Sequence, residues 1–379
     1  MAGDKKLLVI LESTLGLSTQ FISSLSLSAA STSSATPRSA EETDNNKNLP
    51  LPLLSAAAQT LKSNSGKISL FAINTPFTPS AITSVLAQIN DSALPSLVTA
   101  AFLLHPEHYT KTFHTEINAL VKSALREYIT LINDIKKIAV ENGKGLTDED
   151  KVAVTTSAGR VWKVCDQLVA AATDGVVGMV MQKANEFLEL VRDGIKELEE
   201  WDPEESDDDD WGLVDDLADE TKEENDEDDG EDREEVVAKL AGEKKELLRL
   251  LTPIAKLYTA ITTQRLKPLK QQPTLSKYAS NLDKLVDNLK QISDLVDEAA
   301  GSLYEHDTQA VASYTSNLKN CAISTMEMVR KPWHPETGVN AKTDGQVESE
   351  DKFTKWATVW LKVLNELGKP DVANGKYRS

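Results

Sequence analysis

The sequence predicts an all-α protein. Long antiparallel helices form bundles, in two halves joined by a disordered acidic segment. Three observations lead there. Long stretches place apolar residues three and four apart, the period of one buried helical face. Aromatic residues are only 5% of a chain that is 40% hydrophobic. Ala, Leu, Ile and Val therefore fill the core, and neither βαβ alternation nor a series of short alternating strands is present. Acidity is concentrated as well. Residues 197–235 hold 24 Asp or Glu against Lys222 and Arg233, a net charge of −22, whereas the whole chain carries −19. Such a run cannot pack, because unpaired carboxylates resist burial and like charges extend the chain.

Taken in order, residues 5–28 read as a first helix on Leu7, Leu8, Leu11, Leu15, Ile22 and Leu25. Lys5-Lys6 precedes an apolar run that Glu12 cuts short of a secretory core. No run of about 18 uninterrupted apolar residues occurs, so a membrane span is not expected. Residues 29–48, rich in Ser, Thr, Ala and Asn, read as a disordered linker. A second helix covers about 52–74, weakened at Ser63-Asn64-Ser65-Gly66. Thr78 with Pro79 reads as an N-cap and first helical residue. The helix that follows carries Ile82, Val85, Leu86 and Ile89, and Pro95 should kink or split it.

After His105-Pro106 comes the clearest helix of the first half: Phe113, Ile117, Leu120, Ala124, Tyr128, Leu131, Ile135 and Ile138. Asn142-Gly143-Lys144-Gly145 ends it. Thr147 with Asp148, Glu149 and Asp150 starts the next, acids lying where the helix dipole favours them. That helix runs 147–172 on Val154, Val161, Trp162, Cys165 and Leu168. After Asp174 another presents Val177, Val180, Ala184, Phe187, Val191, Ile195 and Leu198.

Past the acidic arm, a helix from Arg233 to about Leu269 is bent at Pro253. Residues 275–303 follow, with Leu275, Leu282, Leu289, Val296 and Leu303 every seven residues. A dimerising zipper wants charged flanks. Here Ala279, Val286, Leu295 and Ala300 widen the apolar stripe instead, which favours a helix covered inside one bundle. A helix over 307–331 and a last amphipathic one on Phe353, Trp356, Trp360 and Leu364 complete the chain. The expected division is an N-terminal helix (1–28), linker (29–48), N-terminal bundle (49–200), acidic arm (201–232), C-terminal bundle (233–368) and frayed tail (369–379).

Chemistry-bearing motifs are sparse. Cys165 and Cys321 lie far apart without metal or redox spacing, and read as core thiols of a reducing compartment. His105, His108 and His114 cluster beside a proline, without the convergent ligands of a zinc site. Asp207 to Asp210 lack the turn glycine and distal Glu of a calcium loop. No phosphate loop or nucleophile elbow is present, so no catalytic residue, metal or cofactor is expected. Lys and Arg are dispersed, which argues against direct nucleic-acid binding.

The arm is more informative. Trp201 and Trp211 are unusual in such acidity, and Trp211, Val214, Leu217 and Ala218 sit at helical spacing. Such a segment either folds onto a groove or basic partner, or is a solvated linker whose Trp rests on the bundle. Trp201, Trp211, Val214 and Leu217 are thus the candidate partner-binding residues. Ser206, followed by Asp207, Asp208 and Asp209, suits an acid-directed kinase.

Leu51-Pro52-Leu53-Leu54-Ser55-Ala56-Ala57, Thr75-Pro76-Phe77-Thr78-Pro79, Ala101-Phe102-Leu103-Leu104 and the long helix after His108 resemble the N-terminal part of the cyclin-D-binding protein family. Val161-Trp162-Lys163-Val164-Cys165 resembles a Trp-centred helix there, and Trp201-Asp202-Pro203 with Gly212-Leu213 resembles its acidic interruption. The likeness covers about 50–220 and, more loosely, 233–303. It implies a Maid-like helix-loop-helix regulator without enzymatic activity, in cytoplasm and nucleus. Such a protein binds cyclin D and helix-loop-helix factors and restrains cell-cycle transcription. Two other readings stand beside it: an acidic chaperone or adaptor for basic proteins such as histones, and a structural adaptor resembling vinculin-type bundles.

Overall fold

The computed structural model describes residues 2–31, 50–141, 143–204, 229–270, 276–333 and 351–367. Every regular element among the described residues is helical. They gather into two compact units, Met1–Met179 with Thr274–Asp283, and Val180–Pro273 with Lys284–Ser379. The first boundary falls within the long helix Asp148–Glu200 and the last within the helix Ala279–Tyr304, and Glu204 and Asp229, on either side of residues 205–228, both belong to the second unit.

In the first unit, α1 (Ala2–Ser31) lies against α6 (Lys111–Val140) and α3 (Pro79–Gln88). α2 (Pro50–Ile73) packs on α3 and α4 (Leu94–Leu103). α1 extends past the expected 5–28, burying Leu7, Leu11 and Leu25 together with Thr14 and Ser18. By length and hydropathy alone, Lys5–Leu27 and part of residues 148–200 are apolar enough to cross a bilayer. Of the apolar window in α1, 22% is buried, and Glu12 on α1 ion-pairs with Lys136 on α6.

α2 continues unbroken through Ser63-Asn64-Ser65-Gly66. The Ser65 hydroxyl donates to the Lys62 carbonyl at 2.8 Å. The small residues there make room for Trp162, because a Cβ on Gly66 would come within 3.2 Å of the indole. Trp162 consequently lies on the surface, 40% exposed, and not in the buried stripe. Thr78 occupies the N-cap position of α3, but its hydroxyl donates to the Pro76 carbonyl at 3.0 Å and caps no helix N–H.

Pro95 acts through a π turn. Ile89–Ala93 widens the helix between α3 and α4. A proline ring crowds the carbonyl four residues earlier, here Asp91, and the wider turn relieves that clash. The same pairing recurs in the second unit, where π turn Thr262–Leu266 precedes Pro268.

One short helix, α5 (Pro106–Tyr109), separates α4 from α6. The start of α6 is held twice. Thr110 accepts from the Phe113 N–H at 3.1 Å, and the Asp283 carboxylate accepts from the Lys111 and Thr112 N–H groups at 2.8 and 3.0 Å. A carboxylate there satisfies orphan donors and complements the dipole. This contact accounts for the presence of Thr274–Asp283 in the first unit.

At the other end of α6, the Gly143 N–H donates to the Ile138 carbonyl at 3.0 Å. Gly143 has φ 68°, and a Cβ on it would lie 2.5 Å from the Cβ of Phe77. Gly143→Ala is therefore expected to combine left-handed strain with a clash that no rotamer relieves. A loss of roughly 2–3 kcal/mol is expected in urea unfolding.

α7 (Asp148–Glu200) begins as expected: the Asp150 N–H donates to the Thr147 hydroxyl oxygen at 3.1 Å, and the Thr147 N–H to the Asp150 carboxylate at 3.1 Å. The two helices expected on either side of 173–174 form one run broken at Gly175, whose φ of 65° and ψ of −167° leave the helical region.

In the second unit, the end of α7 joins α8 (Asp229–Ile261), the π turn Thr262–Leu266 and α9 (Lys267–Leu269), then α10 (Ala279–Tyr304) from Lys284 onward, α11 (Thr308–Arg330) and α12 (Lys352–Glu366). α8 starts at Asp229, inside the bounds 201–232 expected for the arm. Leu275 lies outside the described residues, and the heptad helix begins after a 3₁₀ turn at Ser276–Tyr278. Leu285, Leu289, Ile292, Val296 and Leu303 are fully or almost fully buried, as are the flanking Val286 and Ala300. The heptad residues thus face a core within the chain, as the wide stripe predicts. Tyr258 on α8 donates its hydroxyl to the Leu289 carbonyl at 2.7 Å.

Candidate functional site

Of the candidate partner-binding residues, Trp201 is described. Ser206, Trp211, Val214 and Leu217 lie outside the described residues. Trp201 closes the end of α7, its N–H donating to the Glu197 carbonyl at 2.9 Å. Its ring meets Tyr304 edge-on, 5.2 Å between centroids. The Lys244 ammonium, on α8, donates to the Trp201 carbonyl at 2.5 Å and the Glu199 carbonyl at 3.2 Å. A cation on the last carbonyls of a helix is favoured by its dipole. Burial, reinforced by Glu197 and Asp297, pushes the Tyr304 phenol above its ordinary pKa. Trp201 is half-buried and pins α7 to the bundle.

The concave surface lies beside it. A groove of about 750 Å³ runs between the end of α7, the C-terminal end of α8 with the π turn that follows it, and α12. The α8 side is shallow because Thr252, Ala255, Thr259 and Thr263 follow one another at helical spacing. No long side chain fills the space between helices there. α12 supplies the aromatic wall, with Phe353 and Trp356 at 5.5 Å between centroids. Trp360, one turn on, donates its indole N–H to the Pro253 carbonyl at 2.9 Å.

Arg265, carried by the second π turn, fixes this wall. Its guanidinium donates to the Val329 and Arg330 carbonyls at 2.8 and 2.6 Å and to the Asp351 carboxylate at 2.8 Å. It also sits 4.1 Å from the centre of the Phe353 ring. Burial raises the Asp351 pKa, but hydrogen bonds from Arg265 and Thr354 outweigh it and hold the carboxyl at about 2. Asp351 in turn caps α12, accepting from the Thr354 N–H at 2.6 Å.

The groove is basic. Arg192, Lys256 and Lys352 stand on its rim, and among the described residues no carboxylate lines it. A second depression of about 390 Å³ adjoins it at Thr252 and brings in Lys244, Lys245 and Arg249, again without a carboxylate among the described residues. Arg192 and Arg249 are each paired with a Glu on their own helix. Lys256 and Lys352 are in no ion pair among the described residues. An apolar floor with a cationic rim suits an amphipathic helix bearing carboxylates. Sequence reasoning missed this groove, although the small residues at 252, 255, 259 and 263 were a legible signal.

The remaining sequence candidates fall elsewhere. His105 and His114 approach closely enough to interact, and burial followed by the His105 charge lowers the His114 pKa. The His114 ring pairs with the Asn118 amide at 3.0 Å. Among the described residues, no three His, Cys, Asp or Glu are gathered as metal ligands. Cys165 is buried, its thiol pushed up to about 12 by burial and by Asp166. Cys321, half-buried, is likewise a free thiol.

Residues 53–204 match the family described as Grap2 and cyclin-D-interacting, N-terminal. The match overlies the stretch on which the resemblance rests. A protein of Schizosaccharomyces pombe described as uncharacterized is 22% identical over 317 residues, covering 82% of this chain and 83% of the relative.

Proposed function

We propose that this chain, whose residues 53–204 match the N-terminal model of the cyclin-D-interacting family, is a non-enzymatic regulator that acts by binding other proteins. Its partners on this reading are cyclin-D-type proteins and helix-loop-helix factors, through which it restrains cell-cycle progression and transcription in cytoplasm and nucleus. The observation that carries the reading is the family match over 53–204. The groove between α7, α8 and α12 adds a surface of the size and character that accepts a helix.

The test uses two baits: the full chain, and a chain in which residues 205–228 are replaced by a Gly-Ser linker of equal length. Each is mixed with purified cyclin D, a purified helix-loop-helix factor or core histones, at low and moderate salt. Retention of cyclin D or the helix-loop-helix factor by both baits is the expected result. Retention of histones alone, lost with the linker replacement or with salt, overturns it in favour of an acidic chaperone.

A further inference from the structure

Building on the reading of this chain as a regulator that binds proteins, we propose that the groove of the second unit takes an acidic amphipathic helix of a partner protein. That helix is about three turns long and carries carboxylates beside its apolar face, which pair with Lys256 on α8 and Lys352 on α12. Shape, surface chemistry and charge each point to it.

The groove follows α8 from Thr252 to Gln264, twelve residues or about 18 Å, the length of a three-turn helix. Every element lining it is helical, so it offers no sheet edge to which an extended peptide could add as a strand. The floor asks for apolar side chains. Ala255, Ala260 and Ile195 form part of it, and the Thr252 and Thr263 hydroxyls already donate to their own helix, to the Leu248 and Thr259 carbonyls at 3.1 and 2.8 Å. Phe353 and Trp356 give a flat wall of the kind that receives the anchor residues of a docked helix. The apolar surface also continues beyond the groove. Val359 and Val363 are exposed, three and seven residues after Trp356 and thus on the same side of α12.

Charge selects the kind of helix. Acidic residues outnumber basic ones 60 to 41 in this chain. Against that background, the groove and the depression adjoining it carry six cations and, among the described residues, no carboxylate. Three of the six are committed: Arg192 and Arg249 to glutamates on their own helices, and Lys244 to the carbonyls at the end of α7. Lys245, Lys256 and Lys352 are exposed and in no ion pair among the described residues. Lys245 and Lys256 leave α8 eleven residues apart, about 16 Å along its axis. Cations so spaced call for separate carboxylates along a partner helix, not for one phosphate. A helix with basic flanks would meet like charge there and be rejected.

The test is a phage-displayed library of three-turn helices selected on the native chain. Apolar-face positions are drawn from Leu, Ile, Phe and Trp, and flanking positions from Asp, Glu, Lys, Arg, Gln and Ser. Asp and Glu are expected to be enriched at the flanks, and Lys and Arg depleted. The most enriched peptide is then labelled with fluorescein and read by anisotropy. Lys256→Glu with Lys352→Glu should weaken its binding about tenfold or more. Thr259→Trp, which fills the floor from an exposed position without changing charge, should do the same. Selection on the charge-reversed chain should return basic flanks instead. Circular dichroism checks that the helices of both variants are intact. Selected flanks without acidic enrichment overturn the proposal, as does a peptide that binds either variant as tightly as the native chain. Two other occupants would also overturn it. Sedimentation with phosphatidylserine vesicles that is lost in Lys256→Glu/Lys352→Glu would assign the groove to a membrane surface. Self-association in sedimentation velocity that is lost in Thr259→Trp would assign it to a second copy of this chain. Because the readout contains no cyclin, failure here leaves the regulatory reading standing, and failure of cyclin capture leaves the groove's preference standing.

Discussion

Leu289→Lys is expected to abolish cooperative folding of the second unit. Leu289 is 0% exposed at the centre of α10, and Leu285 and Ile292 beside it are equally buried. Its carbonyl receives the Tyr258 hydroxyl at 2.7 Å, so α8 and α10 touch at this level. An ammonium placed there has neither water nor a counter-ion. Its burial costs roughly 5 kcal/mol or more, comparable with the total stability of an ordinary domain. Leu289→Ala serves as the control, expected to lose roughly 2–5 kcal/mol and remain folded. Urea unfolding followed by circular dichroism separates the two. If Leu289→Lys kept the native transition and lost only self-association, the seven-residue repeat would be an intermolecular zipper after all.

The same repeat shows what a sequence reveals about such a fold. The widened stripe at Ala279, Val286, Leu295 and Ala300 predicts burial inside one chain, and all but Leu295, which is half-buried, are buried. α6 was equally legible, because a helix covered on one broad face must repeat every three or four residues. The structure adds Val121, Leu125 and Ile132 to that face, since α1, α2 and α4 all pack on α6. What local pattern could not show is long-range. Asp283 caps a helix that begins 172 residues earlier, and nothing near either residue announces it. Trp162 looked like core because it sits among apolar residues, but the partner that receives it is a glycine a hundred residues away. The π turns were half visible: a proline two residues beyond each marks where the helix must widen, but periodicity alone reads through them.

Arg265 is the second residue on which a large effect is expected. Its side chain is 8% exposed and ties three elements together: the end of α11 through two carbonyls, the N-cap of α12 through Asp351, and the aromatic wall through Phe353. Arg265→Met keeps much of the apolar stem and removes every donor. Two carbonyls and a carboxylate then lose their partners. Because Asp351 is 38% exposed, water recovers part of that loss, and the expected destabilisation is roughly 2–3 kcal/mol. The loss should concentrate at α12. Hydrogen exchange at Thr354–Leu364 is expected to rise before the rest of the unit opens. Acid supplies an independent check. The Asp351 carboxyl is held at about 2, below its ordinary 3.8, so its ionised form favours the folded state. That contribution is complete above about pH 4 and fades as pH falls from 4 towards 2. In the native chain, α12 protection should therefore decline across that window. In Arg265→Met the decline should be smaller and shifted upward, because the main group that lowers the Asp351 pKa is gone. An unchanged acid profile in Arg265→Met would show that Thr354 and the helix N-terminus, not Arg265, hold the carboxylate that anchors the groove wall.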